Sequence, residues 1–149
     1  MIGAIVAKKK TRSAFDSLSR HDLDAFLANW AEDATLVHPS PTGPSFQSTI
    51  PEIQGKEAVR ERYQKFIEEW PVTAFTVKNI FVQNIFALGG TNVIAAEWEL
   101  KVITRNGKES DTSGVTVITL KKGKATEVRE YECEGHPIWR AIGPKKDTV

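Results

Sequence analysis

Apolar residues recur at helical spacing through the first half of the chain and at alternate positions through the second. Ile2, Ile5 and Val6, followed by Phe15 and Leu18, predict one helix face, interrupted by the basic run KKKTR. HDLDAFLANW predicts a second, short helix. Asp22 suits its N-cap, because a short carboxylate can accept from the free N–H groups of a first turn, and Leu23, Phe26, Leu27 and Trp30 would face inward. AEDATLVHP breaks the helical period. Its Thr35, Leu36 and Val37 suit a short strand that Pro39 ends. Residues 40–54, SPTGPSFQSTIPEIQ, carry three prolines and a glycine and read as a loop long enough to cover a site. Gly55 then precedes the amphipathic stretch KEAVRERYQKFIEEW. Val59, Tyr63, Phe66, Ile67 and Trp70 form one stripe there, and Pro71 stops the helix.

Strands are predicted over about 72–86, 91–105, 110–121 and 124–134, broken by LGGTN, RNGK and KKGK. The last two breaks have hairpin chemistry. Helices first and consecutive hairpins afterwards indicate an α+β fold with an antiparallel sheet, in a single domain spanning 1–149. Two strands are unusual. The final one puts Val128, Glu130, Glu132 and Glu134 on one face and Glu127, Arg129, Tyr131 and Cys133 on the other, so carboxylates lie on both. AAEWELKV sets Glu97 and Glu99 against Trp98, Leu100 and Val102. Core logic alone buries the aromatic row and leaves the glutamates in water.

Composition narrows the partners. The net charge of +1 gives no general pull toward nucleic acid or an anionic membrane, and KKK and KKGK read as a solvated helix face and a turn. The apolar N-terminal run is short and lysines follow it, the reverse of a signal peptide; a soluble, cytoplasmic protein is the expectation. Cys133, the only cysteine, reads as an inert thiol. His21, His38 and His136 have no metal-ligand spacing, so no metal is expected.

Three stretches carry a resemblance. HDLDAFLANWAEDATLVHP, IQGKEAVRERYQKF and NGKESDTSGVTVITLKKGKATEVREY resemble, in order, the opening, third helix and last strands of SnoaL-like polyketide cyclases and ketosteroid isomerases, in the nuclear-transport-factor-2-like superfamily. The resemblance spans roughly residues 15 to 134. It implies a cone: a curved antiparallel sheet wrapped around three N-terminal helices, with an apolar pocket for a small hydrophobic or cyclic molecule at its open end.

The resemblance also implies site residues. His38 falls where the isomerases hold a general-base aspartate, and an imidazole can take and return a proton near neutral pH. The other reading is a histidine that only hydrogen-bonds the following loop. Glu130 matches the strand acid of the similar limonene-epoxide hydrolases; the other reading is a salt bridge. Glu99 matches a further pocket acid of those enzymes. Trp30, Tyr63, Phe66 and Val128 would line the pocket. The same correspondence would place Trp98, Leu100 and Val102 in a homodimer interface. Other helper positions depart: the hydrolase Arg falls at Glu97 and its Tyr at Leu36, and the isomerase oxyanion donors fall near Ala14 and Ser113. The expectation is a cofactor-free isomerase or cyclase working by proton transfer. The alternative is a non-catalytic dimeric module that binds a ligand or a protein.

Overall fold

A computed structural model describes residues 2–38, 52–86 and 90–132. Helices α1 (Ile2–Ser19) and α2 (Leu23–Leu27) lead into strand β1 (Trp30–Val37). A three-residue strand, β2 (Glu52–Gln54), then precedes α3 (Lys56–Glu69). Four strands follow: β3 (Val72–Val82), β4 (Asn92–Ile103), β5 (Glu109–Lys121) and β6 (Lys124–Glu132). They form one sheet in the order β2-β1-β6-β5-β4-β3, antiparallel except where β1 runs parallel to β6. The α+β expectation holds: the sheet does not close, and β2 and β3 are its edges. Register shifts interrupt β1 after Trp30, β3 after Val77 and the β5–β6 ladder after Thr119, and such irregularities bend a sheet.

α1 is continuous through the lysines, with a core face different from the one expected. Ala7, Thr11, Phe15 and Leu18 are buried, whereas Ile5 and Val6 are exposed. At its end His21 adopts φ 60, and two bonds close the left-handed cap: Asp22 N–H to Ser17 O and His21 N–H to Leu18 O. Asp22 then caps α2, accepting from Ala25 N at 3.0 Å. Trp30, expected on that helix, instead opens β1, although it is buried as expected. Residues 52–54, expected within the loop, pair with β1, and the rest of that loop lies outside the described residues. Cys133 and His136 also lie outside them.

The helices fill the concave side of the sheet. Phe75 of β3 packs edge-on against Phe15 of α1 at 5.3 Å and against Trp98 of β4 at 5.5 Å. Its backbone N–H also donates to Ser19 Oγ, which ties the end of α1 to the sheet. Val59, Tyr63 and Phe66 of α3 and Leu36 of β1 are fully buried. Each such side chain stabilises the fold by ~1.5–3 kcal/mol relative to exposure. No helix among the described residues is long and apolar enough to cross a membrane.

Candidate functional site

The parallel pairing of β1 with β6 creates the site. Leu36 is the register partner of Val128, and both are buried on the concave face. Because side chains alternate, two steps further along each strand lie His38 and Glu130, on that same face. Their side chains meet: His38 Nδ1 is 3.3 Å from Glu130 Oε2. From the facing helix, Tyr63 donates its hydroxyl to Glu130 Oε1 at 2.5 Å. Helix α3 can do this because Tyr63 sits on its buried stripe between Val59 and Phe66. Glu130 is thus an acid 8 % exposed, held by groups from a strand and a helix on either side.

Electrostatics fix the protonation of the neighbours. Burial lowers the His38 pKa below its ordinary 6.5; Glu130 pulls it up and the Arg62 guanidinium pushes it down. The contact has ion-pair distance, yet desolvation outweighs the carboxylate, so the imidazole is neutral at neutral pH. Burial raises Tyr63 well above 10, and Glu130 adds to the rise through its charge and its hydrogen bond, against an opposing effect of Arg62. Tyr63 is therefore a permanent donor in the physiological range. The His38–Glu130 contact is electrostatic: Glu130 Oε2 accepts no hydrogen bond among the described residues, and both it and His38 Nε2 are shielded from solvent.

The other expected residues divide. Trp30, Tyr63, Phe66 and Val128 are all buried around the concave face. Phe26 joins two of them, with ring centroids 4.8 Å from Tyr63 and 5.5 Å from Trp30. Glu99 is corrected. It lies on the convex face, exposed and paired with Lys78 at 2.9 Å, while Glu97 accepts from Asn79 at 2.6 Å on the same side. Trp98, Leu100 and Val102 are corrected with it. They are 0–2 % exposed inside the single chain, so they are core and not a surface for a second copy. The physical reason is plain alternation, which puts the aromatic row against the helices. Ser113, register partner of Glu99, shares the convex face and is not an oxyanion donor on the concave side.

Alternation also explains the acids of β6. Val128, Glu130 and Glu132 point inward, whereas Arg129 and Glu127 pair with each other on the outer face at 2.8 Å. Sequence reasoning missed three residues. Arg62 adjoins Tyr63, and its cation acts on both His38 and Tyr63. Glu132 shares the parity of Glu130, and its Oε1 is shielded from solvent. Thr116, the register partner of Glu130, is buried and accepts from the Trp98 indole N–H at 2.8 Å. The parity of Glu132 was readable in the sequence; the cross-strand place of Thr116 was not, because it depends on register. Among the described residues no group of three or more His, Cys, Asp or Glu is placed to hold a metal ion.

Comparison with known proteins agrees with this fold. Solved structures similar to the chain include a candidate aromatic ring hydroxylase from Novosphingobium aromaticivorans, 17% identical, with a TM-score of 0.69 over 89% of this chain and 90% of that one. A candidate isomerase from Bacillus subtilis is 18% identical, with a TM-score of 0.67 over 85% and 86%. A candidate SnoaL-like polyketide cyclase from Jannaschia sp. is 14% identical, with a TM-score of 0.63 over 90% and 87%. At these identities the likeness is one of fold. No curated protein matches the chain. The model of the SnoaL-like domain matches residues 11–128, and by that match the chain belongs to the SnoaL-like family.

Proposed function

We propose that the chain binds a small hydrophobic or cyclic molecule at the concave end of β1 and β6 and moves a proton on it without a cofactor. The observation that carries this reading is the buried chain Tyr63–Glu130–His38. His38 is the base: burial keeps it neutral, and a neutral imidazole can accept a proton at pH 7. Glu130 orients the ring and stabilises the imidazolium formed on proton transfer. Tyr63 fixes the carboxylate. It touches Glu130 and acts on the base through it, so it is a positioning residue. The fold neighbours named as a candidate isomerase and a candidate cyclase fit proton-transfer chemistry of this kind.

A thermal-shift screen of cyclic and aromatic compounds identifies ligands, since binding to the native state raises the melting temperature. For any compound turned over, His38→Ala and Glu130→Gln should each lower kcat/KM by ~10²–10⁴-fold. The double variant should lose less than the product of the two effects, because the pair acts as a unit. Single variants with full activity would remove the catalytic assignment. Binding without turnover, weakened by the same substitutions, would leave a ligand-binding module.

A further inference from the structure

The net charge of +1 conceals an asymmetry at the start of α1. Lys8, Lys9, Lys10 and Arg12 are all exposed, and no acidic residue occurs in residues 2–15. None of the four joins an ion pair among the described residues. Lys8 and Arg12 stand four apart on the helix, a like-charge spacing that weakens a helix. Beside these cations, Ile5 and Val6 are 63% and 44% exposed, which is costly placement for aliphatic side chains in water. The face opposite them, with Ala7, Thr11, Phe15 and Leu18, is buried against the rest of the fold. The family match begins at residue 11, so residues 5–10 of this surface lie outside the matched stretch.

We infer that the outer face of the first three turns of α1 is a docking surface for an anionic lipid bilayer. Helical period directs Ile5, Val6 and Lys9 away from the core, with Lys8 and Arg12 on one flank and Lys10 on the other. A helix lying flat on a bilayer uses this arrangement: aliphatic tips enter the headgroup boundary, and flanking Lys and Arg extend sideways to phosphates. Charge complementarity selects the partner, since a cluster of cations near a surface favours anionic over zwitterionic lipid. Nucleic acid is the poorer match, because a phosphate backbone offers nothing to Ile5 and Val6. The reading is independent of His38 and Glu130, which lie on other elements.

The test is co-sedimentation of the full, N-terminally untagged chain with two vesicle types. One is phosphatidylcholine alone; the other contains roughly one-third phosphatidylglycerol. Anionic vesicles should bind at least about tenfold more tightly than neutral ones, with the difference falling steeply in about 0.5 M salt. Lys8→Gln, Lys9→Gln and Lys10→Gln together should remove that difference. Ile5→Ser with Val6→Ser changes no charge and should weaken binding to anionic vesicles by about tenfold. All five positions are exposed, and thermal unfolding confirms that the variants fold. Equal partition to both vesicle types overturns the inference. So does an Ile5/Val6 variant that sediments like the wild type, or binding to a DNA duplex in place of anionic vesicles.

Discussion

Glu130 stands where the alternation of β6 calls for a core residue, and its neighbours decide what that costs. A buried carboxylate that loses a hydrogen-bond donor typically forfeits ~1–3 kcal/mol. Tyr63→Phe removes the donor and leaves the ring packing against Phe26, so a loss of about that size is expected in urea unfolding. Two pH dependences go with it. The Tyr63 pKa is raised in the fold, so unfolded chains release that proton first; the stabilisation is complete below about pH 10 and is lost as pH rises further. The His38 pKa is lowered in the fold. Its contribution is therefore complete above about 6.5 and falls as pH drops from there toward the folded value, because unfolded chains bind the proton first. Tyr63→Phe should flatten the alkaline limb and His38→Asn the acid limb of stability against pH. Limbs unchanged in these variants would mean that neither group is buried as described. His38 and Glu130 were legible in the sequence because each sits in a short stretch of family-like pattern. That Tyr63 holds Glu130 was not, since the stripe of α3 says only that Tyr63 is buried and not what its hydroxyl meets.

Turn chemistry and close packing govern the elements. The β5–β6 hairpin closes on Lys122 and Gly123 at φ 50 and 77, the twist-matched two-residue turn that KKGK announced. Boundaries without such punctuation were harder. Trp30 fits the spacing of the short helix yet belongs to β1, and β2 is too brief to show alternation. Gly114 shows what register adds. It is the partner of Trp98 on β4 and Glu132 on β6, and a Cβ there would lie 2.5 Å from the Trp98 ring and collide with the carbonyl oxygen of Tyr131. The missing side chain leaves room for the indole to cross β5 and donate to Thr116. Gly114→Ala should therefore cost ~1–3 kcal/mol, the usual range for overpacking a filled core. Near-ultraviolet circular dichroism should report a displaced Trp98. A variant as stable as the wild type, with an unchanged spectrum, would show that the indole does not lie over Gly114.

At the scale of the molecule, the open question in the sequence was which face of β4 the fold encloses. Periodicity shows that Trp98, Leu100 and Val102 share a face but not which one, because a sheet has two sides and a partner can cover the second. The general α+β order, the helices before the hairpins and the long α3 stripe were all readable. The direction of sheet curvature was not, since it is set by pairings between residues far apart in the chain. The structure places α1 against β3 and Phe75 against Trp98, and so commits the aromatic row to the core. A substitution can check this against the alternative of an interface. Leu100 is 0 % exposed, and Leu100→Lys would bury an ammonium among aromatic and aliphatic groups without a counter-charge. Unpaired buried charge costs several kcal/mol, comparable with the ~5–15 kcal/mol that holds a domain together. The Leu100→Lys chain should therefore be largely unfolded by far-ultraviolet circular dichroism. The neighbouring Glu97→Lys, on the convex face, should remain folded within ~0.5 kcal/mol of the wild type. If position 100 belonged to an interface, the lysine variant would instead be a folded monomer, visible as a native spectrum with a lower sedimentation coefficient. That outcome would reverse the two faces of β4 and return Glu97 and Glu99 to the concave side.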